Sequence, residues 1–125
     1  MTGVIGHVSL GVDDLDAAGR FYDGLLGAIG APRRVTFDAA LAWGRDHAEF
    51  WVGTPIDGRP ASVGNGTHVA FLCERPEQVR AAYAAGLAAG GTGDGDPGPR
   101  PEYTPDYYAA FLRDPAGNKV EVYSL

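Results

Sequence analysis

The sequence predicts an α+β fold: two βαβββ modules forming a curved eight-stranded mixed sheet, with a concave cup on one side and helices outside. Three observations predict it. The first is an internal repeat. His7-Val8-Ser9-Leu10 and Glu49-Phe50-Trp51-Val52 in the first half match His68-Val69-Ala70-Phe71 and Glu121-Val122-Tyr123-Ser124 in the second, with Arg45-Asp46 and Arg113-Asp114 between. The second is the alternation of apolar period, from two to 3.6 and back to two, once in each half. The third is the abundance of turn formers, 19 Gly and 9 Pro, placed where short strands would be joined. One helix per half covers one face of its sheet and leaves the other free.

The elements follow in order. Val4 to Val12 alternates: Val4, Val8, Leu10 and Val12 mostly share one face, and Ile5, His7, Ser9 and Gly11 the other. Asp13 or Asp14 then reads as a helix N-cap, with Asp16 in the first turn where the helix dipole favours an acid. Leu15, Ala18, Tyr22, Leu25, Leu26 and Ile29 recur at helical spacing, and Gly27, Gly30 and Pro32 end the helix. Three short strands are expected around residues 33–37, 41–44 and 49–52. Thr54 to Asn65, with two Pro and two Gly, reads as a linker. The order then repeats: a strand over 66–73, a helix starting at Pro76 with Val79, Ala82, Tyr83 and Leu87 as its stripe, and a stop at Gly90-Gly91. The stretch 91–101, dense in Gly, Pro and Asp, is expected to be a loop, with a short strand over 102–104. Two strands, 107–113 and 119–124, close the chain around the turn Asp114-Pro115-Ala116-Gly117-Asn118.

At 125 residues the chain is expected to form one domain, with module 1 over 1–54, a linker over 55–65 and module 2 over 66–125. Apolar content of 45% and charged content of 21% are those of an ordinary globular protein. No apolar run approaches the roughly 18 residues that would span a membrane, and Met1 to Ile5 carries no basic signal-peptide head. The net charge of −6 argues against nucleic acid as a partner. A single cysteine, Cys73, excludes an internal disulfide framework, fits a cytoplasmic setting and reads as a packed small hydrophobe.

Strand parity places the chemistry. With the β-branched and Leu positions facing the helices, His7, Glu49, His68 and Glu121 all point into the cup. Two imidazoles and one or two carboxylates make a nitrogen–oxygen site for a divalent metal ion: Zn, Ni, Co, Mn or Fe(II). His47, near Glu49, is expected as a solvated turn residue.

The residues that carry a family resemblance are His7 to Leu10 with Phe21-Tyr22-Asp23-Gly24-Leu25-Leu26-Gly27 behind it, Gly66 to Phe71, and the run Tyr107 to Glu121 with its Asp-Pro-x-Gly-Asn turn. The chain resembles the vicinal oxygen chelate superfamily, which includes glyoxalase I, bleomycin-resistance proteins, fosfomycin-resistance enzymes and extradiol dioxygenases. The resemblance implies the glyoxalase/bleomycin resistance/dihydroxybiphenyl dioxygenase fold, a homodimer, and metal ligands at His7, Glu49, His68 and Glu121, from one chain or from two. The segment Arg100 to Pro105 matches no substrate-binding motif.

Three functions are expected in this order. The first is a metal-dependent, glyoxalase-like lyase or isomerase. Its small-molecule substrate chelates the ion through neighbouring oxygens, Glu121 or Glu49 acts as general base, and Trp51, Tyr103, Tyr108 and Tyr123 contact the substrate. The second is a bleomycin-resistance-like protein that sequesters a cationic aromatic drug without chemistry, using Trp43 and Trp51. The third is an extradiol-type dioxygenase with two His and one Glu on Fe(II). Glu49 counts against it, as a fourth protein ligand where oxygen must bind.

Overall fold

The computed structural model describes residues 3–125; Met1 and Thr2, the head of the expected first segment, lie outside the described residues. The elements are β1 (Val8–Gly11), α1 (Leu15–Gly27), β2 (Arg33–Thr36), β3 (Ala40–Trp43), β4 (Phe50–Gly53), β5 (His68–Leu72), α2 (Pro76–Ala88), β6 (Thr92–Pro99), β7 (Tyr108–Arg113) and β8 (Lys119–Ser124). The βαβββ order occurs twice. The repeat extends to the pairing: β1-β4-β3-β2 in one sheet and β5-β8-β7-β6 in the other. In each, the first strand runs parallel to the last, and the other pairs are antiparallel.

Among the described residues the eight strands form two four-stranded mixed sheets in place of one continuous eight-stranded sheet. β1 and β5 are edges that do not pair with each other. Between the start of β1 and β5 lies an open groove of about 580 Å³, floored by core residues including Leu26, Ile29 and Phe50. The modules are joined instead by one hydrophobic core. Phe21, Tyr22, Leu25 and Leu26 of α1, Val79 and Ala82 of α2, and the helix-side residues of both sheets all belong to it. Phe50 of β4 and Phe71 of β5 meet edge to face at 5.0 Å. α2 comes close to its neighbours because residue 86 is glycine: a Cβ there would stand 2.7 Å from Leu112 Cδ2 and 3.2 Å from Phe21 Cε1.

Polar contacts fix the elements locally and then tie the two modules together. Asp14 caps α1 by accepting from the Ala17 amide at 3.0 Å. The Asp114–Asn118 turn, with Gly117 at φ +96°, is stitched by Asp114 Oδ1, which accepts from the amides of Ala116 and Asn118 at 2.9 Å each. Asp114 Oδ2 accepts from the Tyr22 hydroxyl of α1 at 2.7 Å, and Asn118 Nδ2 donates to Gly11 O at the end of β1 at 3.0 Å. The first module returns the tie: Arg45 Nη2, from the turn before β4, donates to Leu72 O at the end of β5 at 2.7 Å.

Three expectations are corrected. The Gly-Pro-Asp stretch is β6, not a loop, and residues 102–104 are not a strand. β6 is an edge strand paired only with β7 and interrupted by two register shifts, the positions where Gly and Pro are tolerated in a sheet. Leu87 is 40% exposed, and Val79, Ala82 and Gly86 are the buried residues of α2. Cys73 is buried, as expected of a packed hydrophobe. Among the described residues, no helix is long and apolar enough to cross a membrane.

Candidate functional site

The face of the second sheet turned away from the helices is set by register. His68, Ala70 and Leu72 of β5 stand beside Lys119, Glu121 and Tyr123 of β8, which stand beside Arg113, Phe111 and Ala109 of β7. Val120, Val122, Ala110 and Leu112 take the opposite face and are buried. On the free face, His68 Nε2 lies 3.1 Å from Glu121 Oε1. Glu121 is only 3% exposed. An ionised carboxylate only accepts, so this contact needs the hydrogen on Nε2. Glu121 Oε2 accepts from the Tyr107 hydroxyl at 2.5 Å. Burial, then the hydrogen bond to Glu121 and its charge, push the Tyr107 phenol well up, so the proton stays on the tyrosine. Tyr107 stacks on Tyr123 at 5.0 Å, and Tyr103 meets Tyr107 edge-on at 5.1 Å. His68, Glu121, Tyr107 and Tyr103 border a cavity of about 650 Å³, and Tyr123 lies behind Tyr107.

The matching face of the first sheet carries His7, Ser9, Glu49 and Trp51, with Ser9 and Trp51 in register. The His7 and Trp51 rings are 6.0 Å apart. Trp51 Nε1 is buried without a hydrogen-bond partner. Glu49 is exposed, and its Oε2 accepts from the Arg45 amide at 2.9 Å, which fastens the turn before β4. His47 is exposed in that turn, 3.3 Å from Gly6 O. Trp43 is not available for stacking: it is wholly buried in the core, where its Nε1 donates to Asp23 Oδ1 at 2.9 Å.

The four expected ligands thus fall into two pairs. His7, Glu49 and His68 line the groove beside β5, while His68 and Glu121 line the cavity on the second sheet. Among the described residues, no three His, Cys, Asp or Glu side chains are gathered closely enough to hold a metal ion. The second pair fits one. Cis ligands of an ion about 2.1 Å from each donor are about 3 Å apart, which is the His68–Glu121 spacing. The first pair shows no such contact, and one oxygen of Glu49 is already engaged.

Tyr108 does not reach the cavity. It shares the helix-side parity of Leu112 and receives a hydrogen bond from Arg80 of α2 at 3.3 Å. Tyr107 stands where Tyr108 was expected. The signal was present in the sequence: Tyr107, Phe111 and Arg113 alternate against Tyr108, Ala110 and Leu112.

Comparison with known proteins agrees with this fold. The model of the glyoxalase/bleomycin resistance protein/dioxygenase superfamily matches residues 4–122. The crystal structure of a glyoxalase/bleomycin resistance protein from Albidiferax ferrireducens T118 is 40% identical, covers 98% of this chain and 100% of its own, and superposes with a TM-score of 0.91. Two more distant structures share the fold. One is a lactoylglutathione lyase from Agrobacterium tumefaciens, at 22% identity, coverage of 99% and 94%, and a TM-score of 0.68. The other is the fosfomycin resistance protein FosX from Mesorhizobium loti, at 16% identity, coverage of 100% and 93%, and a TM-score of 0.67. No match was found among proteins of curated function. The chain therefore belongs to the glyoxalase/bleomycin resistance protein/dioxygenase superfamily.

Proposed function

We propose that this chain is a metal-dependent, glyoxalase-like lyase or isomerase acting on a small substrate with two neighbouring oxygens. The observation that carries the reading is the His68–Glu121 pair, an exposed imidazole on a buried carboxylate, with its donors 3.1 Å apart on the free face of the second sheet. His7 and Glu49 complete the ligand set from a second copy of the chain. The unpaired edges of β1 and β5, bordering the groove that His7, Glu49 and His68 share, support a homodimer. A divalent ion, when bound, supplies Lewis acidity that offsets negative charge developing on the substrate oxygens. The rest falls to the protein. Glu121, or Glu49 from the other side, accepts a substrate proton at a carboxylate oxygen. The Tyr107 hydroxyl fixes Oε2 of Glu121 and keeps its own proton, so Oε1 is the oxygen presented. Tyr103 walls the substrate, Tyr123 backs the wall through its stack on Tyr107, and Trp51 stands beside His7.

Metal analysis of reconstituted protein tests this, together with mixing of two variants. Wild type is expected to hold stoichiometric metal, and H7A and H68A to lose it. In a shared-site dimer, mixed H7A and H68A chains regain one intact site per heterodimer. Wild type without stoichiometric metal overturns the metal reading, and no recovery on mixing overturns the shared site.

The unpartnered Trp51 Nε1 favours a second reading, sequestration of a cationic aromatic drug on the first sheet. Quenching of tryptophan fluorescence by bleomycin in metal-free protein, abolished in W51F, is its expected signature. Equal quenching in W51F removes it.

A further inference from the structure

The segment Arg100 to Pro105, which fits no recognised motif, ends beside the cavity of the second sheet. Arg100 lines that cavity with Lys119, Asp94, Phe111 and Tyr103. Its guanidinium is tied back onto β6: Nη1 donates to Gly98 O at 3.0 Å and Pro99 O at 3.3 Å, and Nη2 to Asp96 O at 2.9 Å. The glycines of β6 make room for it. A Cβ on Gly98 would lie 3.2 Å from Arg100 Nη1, and one on Gly95 would lie 3.0 Å from Phe111 Cδ2. Carbonyls neutralise no charge, and among the described residues Arg100 forms no ion pair. Lys119 and Arg113 share a single acid, Asp94, at 3.3 and 3.0 Å. Phe111 lies beneath both cations, 4.9 Å from Lys119 Nζ and 5.9 Å from Arg100 Cζ. Arg100 and Lys119 thus line this end of the cavity beside one carboxylate, Asp94, which Arg113 also holds, on a chain whose net charge is −6. Glu121, the remaining acid, is already held by His68 and Tyr107.

We propose that Arg100 and Lys119 clamp an oxyanion, carboxylate or phosphoryl, carried by the small molecule that binds this cavity. The arrangement selects an anionic substrate with a flat apolar body. The oxyanion meets the two cations beside Phe111, and the body lies toward Tyr103 and Tyr107, directing its far end at the His68–Glu121 pair. Fixed, partly buried donors bind an oxyanion more strongly than mobile surface lysines do. This names the substrate class of the site proposed above and rests on that reading for the chemistry, while the binding itself needs no metal.

The test is a calorimetric titration of the full chain, kept metal-free with EDTA, with benzoate, phenyl phosphate and the uncharged isostere benzamide. Benzoate or phenyl phosphate is expected to bind at least about tenfold more tightly than benzamide, and the tighter of the two identifies the oxyanion. R100Q and K119Q are each expected to weaken that binding by about tenfold, while R59Q, which removes an exposed cation elsewhere, leaves it unchanged. K119Q serves as the independent variant if R100Q does not fold. Failure of both anions to bind, binding of benzamide as tight as either, or wild-type affinity in both R100Q and K119Q overturns the clamp. A wild type that holds no metal in the preceding experiment tells against the metal reading alone.

Discussion

Replacing Tyr22 with Phe removes one oxygen from the junction between the two modules and nothing else. The hydroxyl donates to Asp114 Oδ2 at 2.7 Å, and both residues are buried, Tyr22 at 0% and Asp114 at 3% exposure. The ring itself stays packed, with Trp43 at 5.3 Å and Phe50 at 4.8 Å. A hydrogen bond to a charged acceptor contributes about 1.5–3 kcal/mol. Asp114 Oδ2 would keep only Asn118 Nδ2, at 3.1 Å. The vacated space is too small for a replacement water. The expected loss is therefore about 2–3 kcal/mol, a large fraction of the roughly 5–15 kcal/mol that holds a domain together. Urea titration followed by tryptophan fluorescence reads it as a lower midpoint at unchanged slope. A loss below about 0.5 kcal/mol at unchanged slope would show that the tie does not stabilise the fold, contrary to the mechanism assigned. The alkaline limb gives a second reading. Burial, then the charge of Asp114 and its hydrogen bond, raise the Tyr22 phenol well above its ordinary value. Its contribution is complete below about pH 10, the unfolded value, and is lost as pH rises from there toward the folded value, at up to about 1.4 kcal/mol per pH unit. Y22F should flatten that decline without abolishing it, because Tyr83 and Tyr107 are raised in the same direction.

Other expectations can be checked on the same preparation. G86A places a methyl carbon against Leu112 and Phe21, and is expected to lower stability by about 1–3 kcal/mol in the same urea assay. Y107F leaves Glu121 Oε2 without its partner. Its loss in EDTA should be about 1–2 kcal/mol, smaller than that of Y22F, because Tyr107 is only half-buried and water can reach the vacated site. Cys73 is buried, and its thiol is pushed up by desolvation. It should react with iodoacetamide far more slowly in folded protein than in urea, as mass spectrometry of the quenched samples would show.

Much of this architecture was legible because parity and repetition are written in side chains. Val8, Leu10 and Phe50 against His7, Ser9 and Trp51 fix which face of the first sheet is buried, and the second half obeys the same rule. β6 was not legible. Its Gly and Pro residues describe a turn when read locally, and only the partner β7, together with its position at the sheet edge, makes them a strand. Tyr107 was missed by one residue, and a one-residue slip in a strand exchanges the two faces. Gathering four ligands at one point lay beyond reach for a different reason. Parity assigns a face, but the distance between two faces depends on how two modules, or two chains, are set against each other. The turn Asp114 to Asn118, the most specific motif of the resemblance, touches neither cavity through Asp114. Its buried carboxylate organises the hairpin and receives Tyr22.

The ties from Asn118 to Gly11 and from Arg45 to Leu72 form a reciprocal handshake. Each half extends a hand from the turn before its last strand and offers a carbonyl at the end of its first. A half-length chain would own both parts of this exchange but could complete it only with a sibling. Residues 1–54 made alone should therefore pair with themselves or stay unfolded, which analytical ultracentrifugation would distinguish from a folded monomer. Joining the two halves in one chain then has a mechanical meaning: it turns a concentration-dependent embrace into one that survives dilution.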